Sequence, residues 1–430
     1  MVEFSEKEKQ RLWEKYEEMK RRDLHLDMSR GKPGADQLDL SEGLLSAVET
    51  GKDCIGENGV DYRNYGLLTG IPELKCIFAE MLQIRPTQII LGGNSSLTMM
   101  YDTLVDAMLY GVAGGEPWSK QKNLSFLCVV PGYDRHFAIT EKLGIRMITV
   151  PLLETGPDMD LVEKLVAEDP SVKGMWCVPK YSNPDGITYS DETVRRLARM
   201  KTAAQDFRIF WDNAYAFHDL GDNRDELLNI FAEAETYGTQ DRIYMFCSTS
   251  KITFPGSGVA MMACSEENVH AMEKKLFYET IGPDKINQMR HVAYFRNATN
   301  MREYMRKHAA ILKPRFDAVL SALERELTGI CSWHVPRGGY FISLNVPDGC
   351  ARRTVRLLAE LGVKMTPAGA TFPYHDDPRD RNIRIAPSYP SLEDIRLASE
   401  AICLCAKLAV AEKQNDLPAG GAGDERRSLS

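Results

Sequence analysis

Short, nearly unbroken apolar runs recur along the first two thirds of the chain, at 88–91, 125–130, 147–150, 174–178, 209–211, 243–246 and 259–263. Runs of that length, closed by glycine, proline or serine turns, read as strands buried on both faces. Between most of them the apolar spacing lengthens to three and four, as over 191–205, which reads as helix. Strands that alternate with helices predict an α/β chain built on a doubly wound, mostly parallel sheet of seven strands.

The flanks carry a different pattern. Ser5 and Glu8 have the spacing of a capping box, and Leu12, Trp13, Tyr16 and Met19 line one side of the helix it opens. From 284 to 327 glycine and proline are scarce and helical spacing persists. Beyond it, apolar stretches at 332–335, 338–344, 363–365 and 382–385 predict strands, and 351–361 and 391–413 predict the helices that cover them. The expected organisation is a segment 1–45 that joins a smaller α+β domain, a large domain 46–300, the small domain 301–413, and a polar, glycine-rich tail 414–430 expected to be disordered. No internal repeat is visible.

Composition narrows the class. The 430 residues suffice for two domains and a large core. A net charge of −8, with no dominant basic stripe, argues against nucleic acid as a main partner. No apolar run reaches membrane-spanning length, so no membrane partner is expected, and the charged N-terminus does not read as a signal peptide. The 10 cysteines are scattered singly, without metal-ligand spacing, as expected of reduced core residues in a cytoplasmic protein.

The chemistry gathers where strands end. The run 174–178 leads to Asn183, the run 209–211 to Asp212 and Tyr215, and the run 243–246 to Ser248, Ser250 and Lys251. Open α/β sheets bind ligands at the carboxyl ends of their strands. A lysine leaving a buried strand is poorly solvated, which lowers its pKa and lets it attack an aldehyde. After the first run, Gly92, Gly93, Asn94, Ser95 and Ser96 turn into a helix, and glycines with hydroxyls at a helix start can hold an anion. Arg384 lies inside an apolar strand and needs an anionic partner, either a structural acid or a ligand carboxylate.

Asn-Pro-x-Gly at Asn183, Asp-x-x-Tyr at Asp212 and Ser-x-Ser-Lys ending at Lys251 resemble the class I, aspartate aminotransferase-like aminotransferases, which are fold type I pyridoxal phosphate enzymes. The resemblance implies a homodimer using pyridoxal 5'-phosphate. Lys251 would carry the cofactor and move the proton, Asp212 would face the ring nitrogen, and Tyr215 and Asn183 the phenolic oxygen. Tyr133 would stack on the ring with His136 behind it. Asn94, Ser95, Ser96, Ser248 and Ser250 would hold the phosphate, helped by Tyr65 of the neighbouring subunit. Arg384 would bind the substrate α-carboxylate, and Arg30, Gly31 and Lys32 would lie over the substrate.

One departure stands out. The family places an arginine shortly after the lysine to clamp the phosphate, and here Pro255, Gly256, Ser257, Gly258 and Val259 fill that stretch. The helix start, hydroxyls and Lys180 are expected to compensate, and the chain resembles a bacterial branch related to the aminotransferase-like domain of winged-helix regulators. The surplus of cations at Arg30, Lys32, Arg135 and Lys180 favours a dicarboxylic substrate, aspartate with 2-oxoglutarate, in a ping-pong reaction. The alternatives are an aromatic or other amino acid, a lyase or decarboxylase on the same fold, and a non-catalytic ligand sensor. A sensor of that kind needs a DNA-binding module, and too few residues precede Arg30 to form one.

Overall fold

The computed structural model describes residues 3–112 and 114–416. Its centre is an 8-stranded sheet. In spatial order the strands are Ile89–Leu91, Ala260–Ala263, Ile243–Ser248, Arg208–Asp212, Val172–Cys177, Ser125–Val130, Arg146–Leu153 and Gly156–Pro157. Ala260–Ala263 runs antiparallel to both neighbours, and Gly156–Pro157 runs antiparallel to Leu152 and Leu153. The remaining pairings are parallel.

The sheet thus has one strand more than the expected seven. The extra strand, Gly156–Pro157, has 2 residues and no apolar run to announce it. Arg146–Leu153 extends past the expected 147–150 at both ends: this strand near the sheet's edge fully buries only Met147 and Val150, and Arg146 and Pro151 interrupt the apolar run on either side.

Side-chain alternation assigns each central strand to two cores. Leu127, Val129, Ile209, Trp211, Met245 and Cys247 pack on one face. Phe126, Cys128, Trp176, Phe210, Tyr244 and Phe246 pack on the other. Both sets are buried, so the strands read as continuous apolar runs rather than alternating ones.

A third core holds the second layer of the molecule. Ser332–Trp333, Ile342–Asn345 and Asn382–Ile385 form an antiparallel sheet. Leu26–Asp27 pairs in parallel with Val363–Lys364, so the N-terminal segment is stitched into this layer. Helices Glu6–Lys20, Ala298–Leu327, Ala351–Glu360 and Leu392–Asp416 contribute buried faces to the same core. Ser5 and Glu8 form the capping box that their spacing predicts.

Several boundaries differ from expectation. The helical stretch 284–327 is two helices, Lys285–Phe295 and Ala298–Leu327. Arg296 adopts a positive φ of 66°, and Asn297 caps the second helix by accepting from Asn300 N. The helix expected over 191–205 stops at Arg199. The strand expected over 338–344 begins only at Ile342, because Gly338 and Gly339 turn tightly against Tyr181 and Gly339 N donates to His218 O. The final helix runs through Gln414, whose side chain accepts from Phe4 N at 3.0 Å, so the expected tail does not begin at 414. Residues 417–430 lie outside the described residues. Among the described residues no helix is long and apolar enough to cross a membrane.

Candidate active site

The parallel strands end along one edge, and in register. Cys177 pairs with Trp211, and Asp212 pairs with Phe246. The turns that follow therefore deliver Asn183, Asp212 with Tyr215, and Lys251 to neighbouring places.

Asp212 Oδ2 meets His136 Nε2 at 3.0 Å, and both side chains are buried. The imidazole stacks on Trp176 at 4.2 Å between centroids, with 6° between planes. Trp176 Nε1 donates to Thr140 Oγ1, which donates to His136 O, so ring and backbone are fixed together. Tyr133 stands edge-on to His136 at 4.9 Å. Asp212 Oδ1 is buried and has no hydrogen-bond partner. A buried carboxylate oxygen without a donor is costly, so this oxygen is poised to receive one.

Lys251 is recessed in the turn after Ile243–Ser248, its ammonium 5.0 Å from the centre of the Tyr215 ring. Burial lowers its pKa against the pull of Asp212, which favours the neutral, nucleophilic amine. Burial, then nearby Tyr133 and Asp212, pushes the Tyr215 phenol well up, so it stays a hydroxyl donor. The backbone of the turn is pinned by two tyrosines, one from each layer. Tyr340 Oη donates to Lys251 O at 3.0 Å, and Tyr304 Oη to Ile252 O at 3.0 Å. His218 Nε2 lies 3.4 Å from Lys251 O, and burial, followed by repulsion from His308 and Lys251, lowers its pKa to about 3, which keeps the ring neutral.

The glycine-serine turn faces the lysine turn. Ser95 caps helix Ser96–Tyr110 by accepting from Thr98 N. Ser250 Oγ donates to Asn94 O, and Asn94 Nδ2 donates to Pro255 O at 3.1 Å, so the two turns clasp each other. A Cβ on Gly258 would lie 3.0 Å from Ser250 N and Oγ, which closes that stretch to a longer side chain. Lys180, expected to balance anionic charge, is already paired with Asp219 at 2.9 Å and bonded to Ala216 O. Sequence showed its charge and not its partner.

Arg384 is paired with an acid of the chain itself. Its Nη1 donates to Asp134 Oδ1 at 2.9 Å and to Asn183 Oδ1 at 3.3 Å. Nε and Nη2 reach Thr366 Oγ1, and the guanidinium lies 5.0 Å from the centre of the Phe341 ring. Gly31 presses on that same ring, leaving no room for a Cβ. Lys32 sits over Tyr389 at 3.7 Å, while Arg30 and Arg135 are exposed. Tyr65 is 77% exposed, in a loop tied down by Gly66 N donating to Ile281 O. Asp134, Thr366, Phe341, Tyr340 and His218 were not anticipated. An acid in a helix's first turn, like Asp134, is ordinary capping chemistry and gives no separate signal.

The sequence model of the family described as aspartate amino-transferase matches residues 4–417. An aspartate aminotransferase of Corynebacterium glutamicum is 44% identical over 401 residues, covering 93% of this chain and 92% of that one. The solved structure of an aspartate transaminase from Corynebacterium glutamicum superposes with a TM-score of 0.92 at 44% identity, covering 94% of this chain and 96% of that one. The HTH-type transcriptional regulator NorG of Staphylococcus aureus is 20% identical over 270 residues, 62% of this chain and 58% of the regulator.

Proposed function

The chain belongs to the aspartate amino-transferase family and is an aminotransferase of fold type I, and from that premise we propose that it moves the amino group of aspartate to 2-oxoglutarate on pyridoxal 5'-phosphate held at Lys251. The observation that carries this reading is the half-satisfied Asp212: one oxygen on His136, the other buried and open to a cationic ring N–H beside a lysine of lowered pKa. The residues fit the cofactor. Bound there, it supplies an electron-withdrawing ring that stabilises the charge left when the substrate Cα–H bond breaks.

The chain's own groups have distinct tasks in this reading. Asp212, oriented by His136, holds the ring nitrogen protonated. Tyr133 covers the ring face. Tyr215 donates to the phenolic oxygen, and Asn183, whose Oδ1 faces Arg384, presents its amide hydrogens there. Lys251 Nζ would move the substrate Cα proton, as general base and then general acid. Asn94, Ser95 and Ser96 at the start of helix Ser96–Tyr110, with Ser248 and Ser250, receive the phosphate without an arginine. Arg384 binds the α-carboxylate under the Gly31 segment.

Aspartate is supported by the name of the Corynebacterium glutamicum relative. With Lys180 paired and Lys32 on Tyr389, Arg30 is the cation we assign to the distal carboxylate. A homodimer is supported by Tyr65, Phe277, Tyr278 and Ile281, large apolar side chains exposed in and beside one tied loop. We divide the chain as 1–45 and 301–413 around a large domain 46–300. We place it in the cytoplasm, where its 10 unpaired cysteines stay reduced.

The test is a panel of amino acids mixed with purified, cofactor-loaded enzyme while its absorbance is followed. Aspartate and glutamate should convert the cofactor to its amine form quickly, with ping-pong kinetics when 2-oxoglutarate is added. Release of ammonia or pyruvate without an acceptor would indicate a lyase instead. Conversion only by aromatic or aliphatic amino acids would defeat the substrate assignment.

A further inference from the structure

Arg384 carries a carboxylate that belongs to the chain itself. The two ends of the Arg384–Asp134 pair are held very differently. The guanidinium is buried and is fixed by Asn183, by Thr366 and by the Phe341 ring. Thr366 donates its own hydroxyl to Ser29 O at 2.7 Å, so toward Arg384 it can only accept. The acid is 29% exposed at its side chain, and among the described residues its carboxylate makes no other hydrogen bond. Asp134 also opens helix Asp134–Lys142, where free N–H groups and the helix dipole favour negative charge. Leaving the arginine therefore costs the acid less than it would cost the guanidinium to lose all carboxylate partners.

We propose that Asp134 is a resident carboxylate which the substrate's carboxylate displaces from Arg384, so that binding is an exchange of one acid for another and Asp134 sets the enzyme's affinity for carboxylate ligands. The proposal rests on Arg384 being the carboxylate-binding group. The exchange keeps the buried guanidinium charge-balanced in both states, avoiding the penalty of an unpaired buried charge. It also filters ligands. A carboxylate can replace a carboxylate at Nη1 with an equally charged acceptor, whereas a halide offers a weaker partner and leaves Asp134 in place.

The experiment is calorimetric titration of the cofactor-loaded enzyme with maleate, a dicarboxylate that carries no amino group. Asp134→Asn should bind maleate about tenfold more tightly, the worth of one displaced charge-assisted hydrogen bond. KM for aspartate and for 2-oxoglutarate should fall together, with kcat changed less. Chloride, harmless to the parent enzyme, should become a competitive inhibitor of Asp134→Asn, an effect that a merely structural role would not create. Asp134→Glu should keep maleate affinity near the parent value, since it restores the acid. Unchanged or weaker maleate binding in a folded Asp134→Asn overturns the proposal. If that variant folds poorly, Asp134→Ser takes its place, and parent-like affinity there overturns the proposal equally. If Arg384→Lys binds maleate as the parent does, the assignment of Arg384 itself fails.

Discussion

Asp212 gives only one of its two oxygens to His136: Oδ2 lies 3.0 Å from Nε2, and Oδ1 is buried with no donor. The imidazole is held in place by stacking on Trp176, whose indole Thr140 ties to the His136 backbone. An arrangement that leaves a buried carboxylate half-satisfied is tolerated where a ligand completes it. Asp212→Asn replaces an acceptor-only group by an amide that carries no charge. We expect kcat with aspartate to fall by about a hundredfold or more, the usual cost of removing a preorganised charge. Thermal stability of the cofactor-free protein should change little, because the hydrogen bond to His136 can persist. Parent-like kcat in Asp212→Asn would refute the assigned role.

Lys251 links the site to stability. Burial lowers its pKa, so between the folded and unfolded values the unfolded chain binds a proton that the native protein does not. Stability at this position therefore falls as pH drops below the unfolded value of about 10.4, and levels off below the folded value. Lys251→Met removes the penalty. The cofactor-free variant should melt above the parent at neutral pH, and the gap should close as pH approaches about 10.4. The same variant should lose borohydride-fixed cofactor, which peptide mapping of the parent should place on Lys251.

How much of this was legible depends on what a side chain announces. The seven long strands were legible because both faces of the sheet are buried, so Phe126 and Leu127, or Phe210 and Trp211, are equally apolar although they point opposite ways. Gly156–Pro157 was not, since 2 residues carry no period. The break between Phe295 and Ala298 was not, because Arg296 takes the positive φ where glycine would have signalled it. Asp212 and Lys251 stood out as polar groups at the ends of apolar runs. The pairing of Lys180 with Asp219 was not legible, because nothing in the sequence ties two positions 39 residues apart. Asp134 was passed over because its place at a helix start already explains an acid there. Charge is written in sequence, and pairing is not.

Gly31 tests the closeness of the N-terminal segment to Arg384. A Cβ there would collide with the Phe341 ring, which lies under the guanidinium. Gly31→Ala should force the ring or the segment to move, at roughly 1–3 kcal/mol as in other overpacked sites. KM for both substrates should rise more than kcat falls, since the displaced ring supports carboxylate binding and not proton transfer. Unchanged KM would show that the segment is free to lift away.

Tyr65 carries the claim that two chains share a site. It is 77% exposed, and Phe277, Tyr278 and Ile281 near it are 71%, 88% and 62% exposed. Large apolar side chains gathered in this way usually mark a contact. Tyr278→Asp should shift the protein toward monomer by light scattering and take activity with it. Tyr65→Phe should remain dimeric but retain cofactor less well, by about 1.5–3 kcal/mol, the worth of one hydrogen bond to a charged group. The decisive measurement is complementation. Lys251→Ala and Tyr65→Ala are each expected to be nearly inactive, because every site in either homodimer lacks one group. In a mixed dimer, one site pairs the intact lysine of the Tyr65→Ala chain with the intact tyrosine of the other chain. Unfolding and refolding an equal mixture should then restore about a quarter of the parent activity, as random pairing of two-fold dimers requires. If Tyr65 instead served its own chain's lysine, every functional pair would sit within the Tyr65→Ala or the Lys251→Ala subunit alone, and mixing would restore nothing.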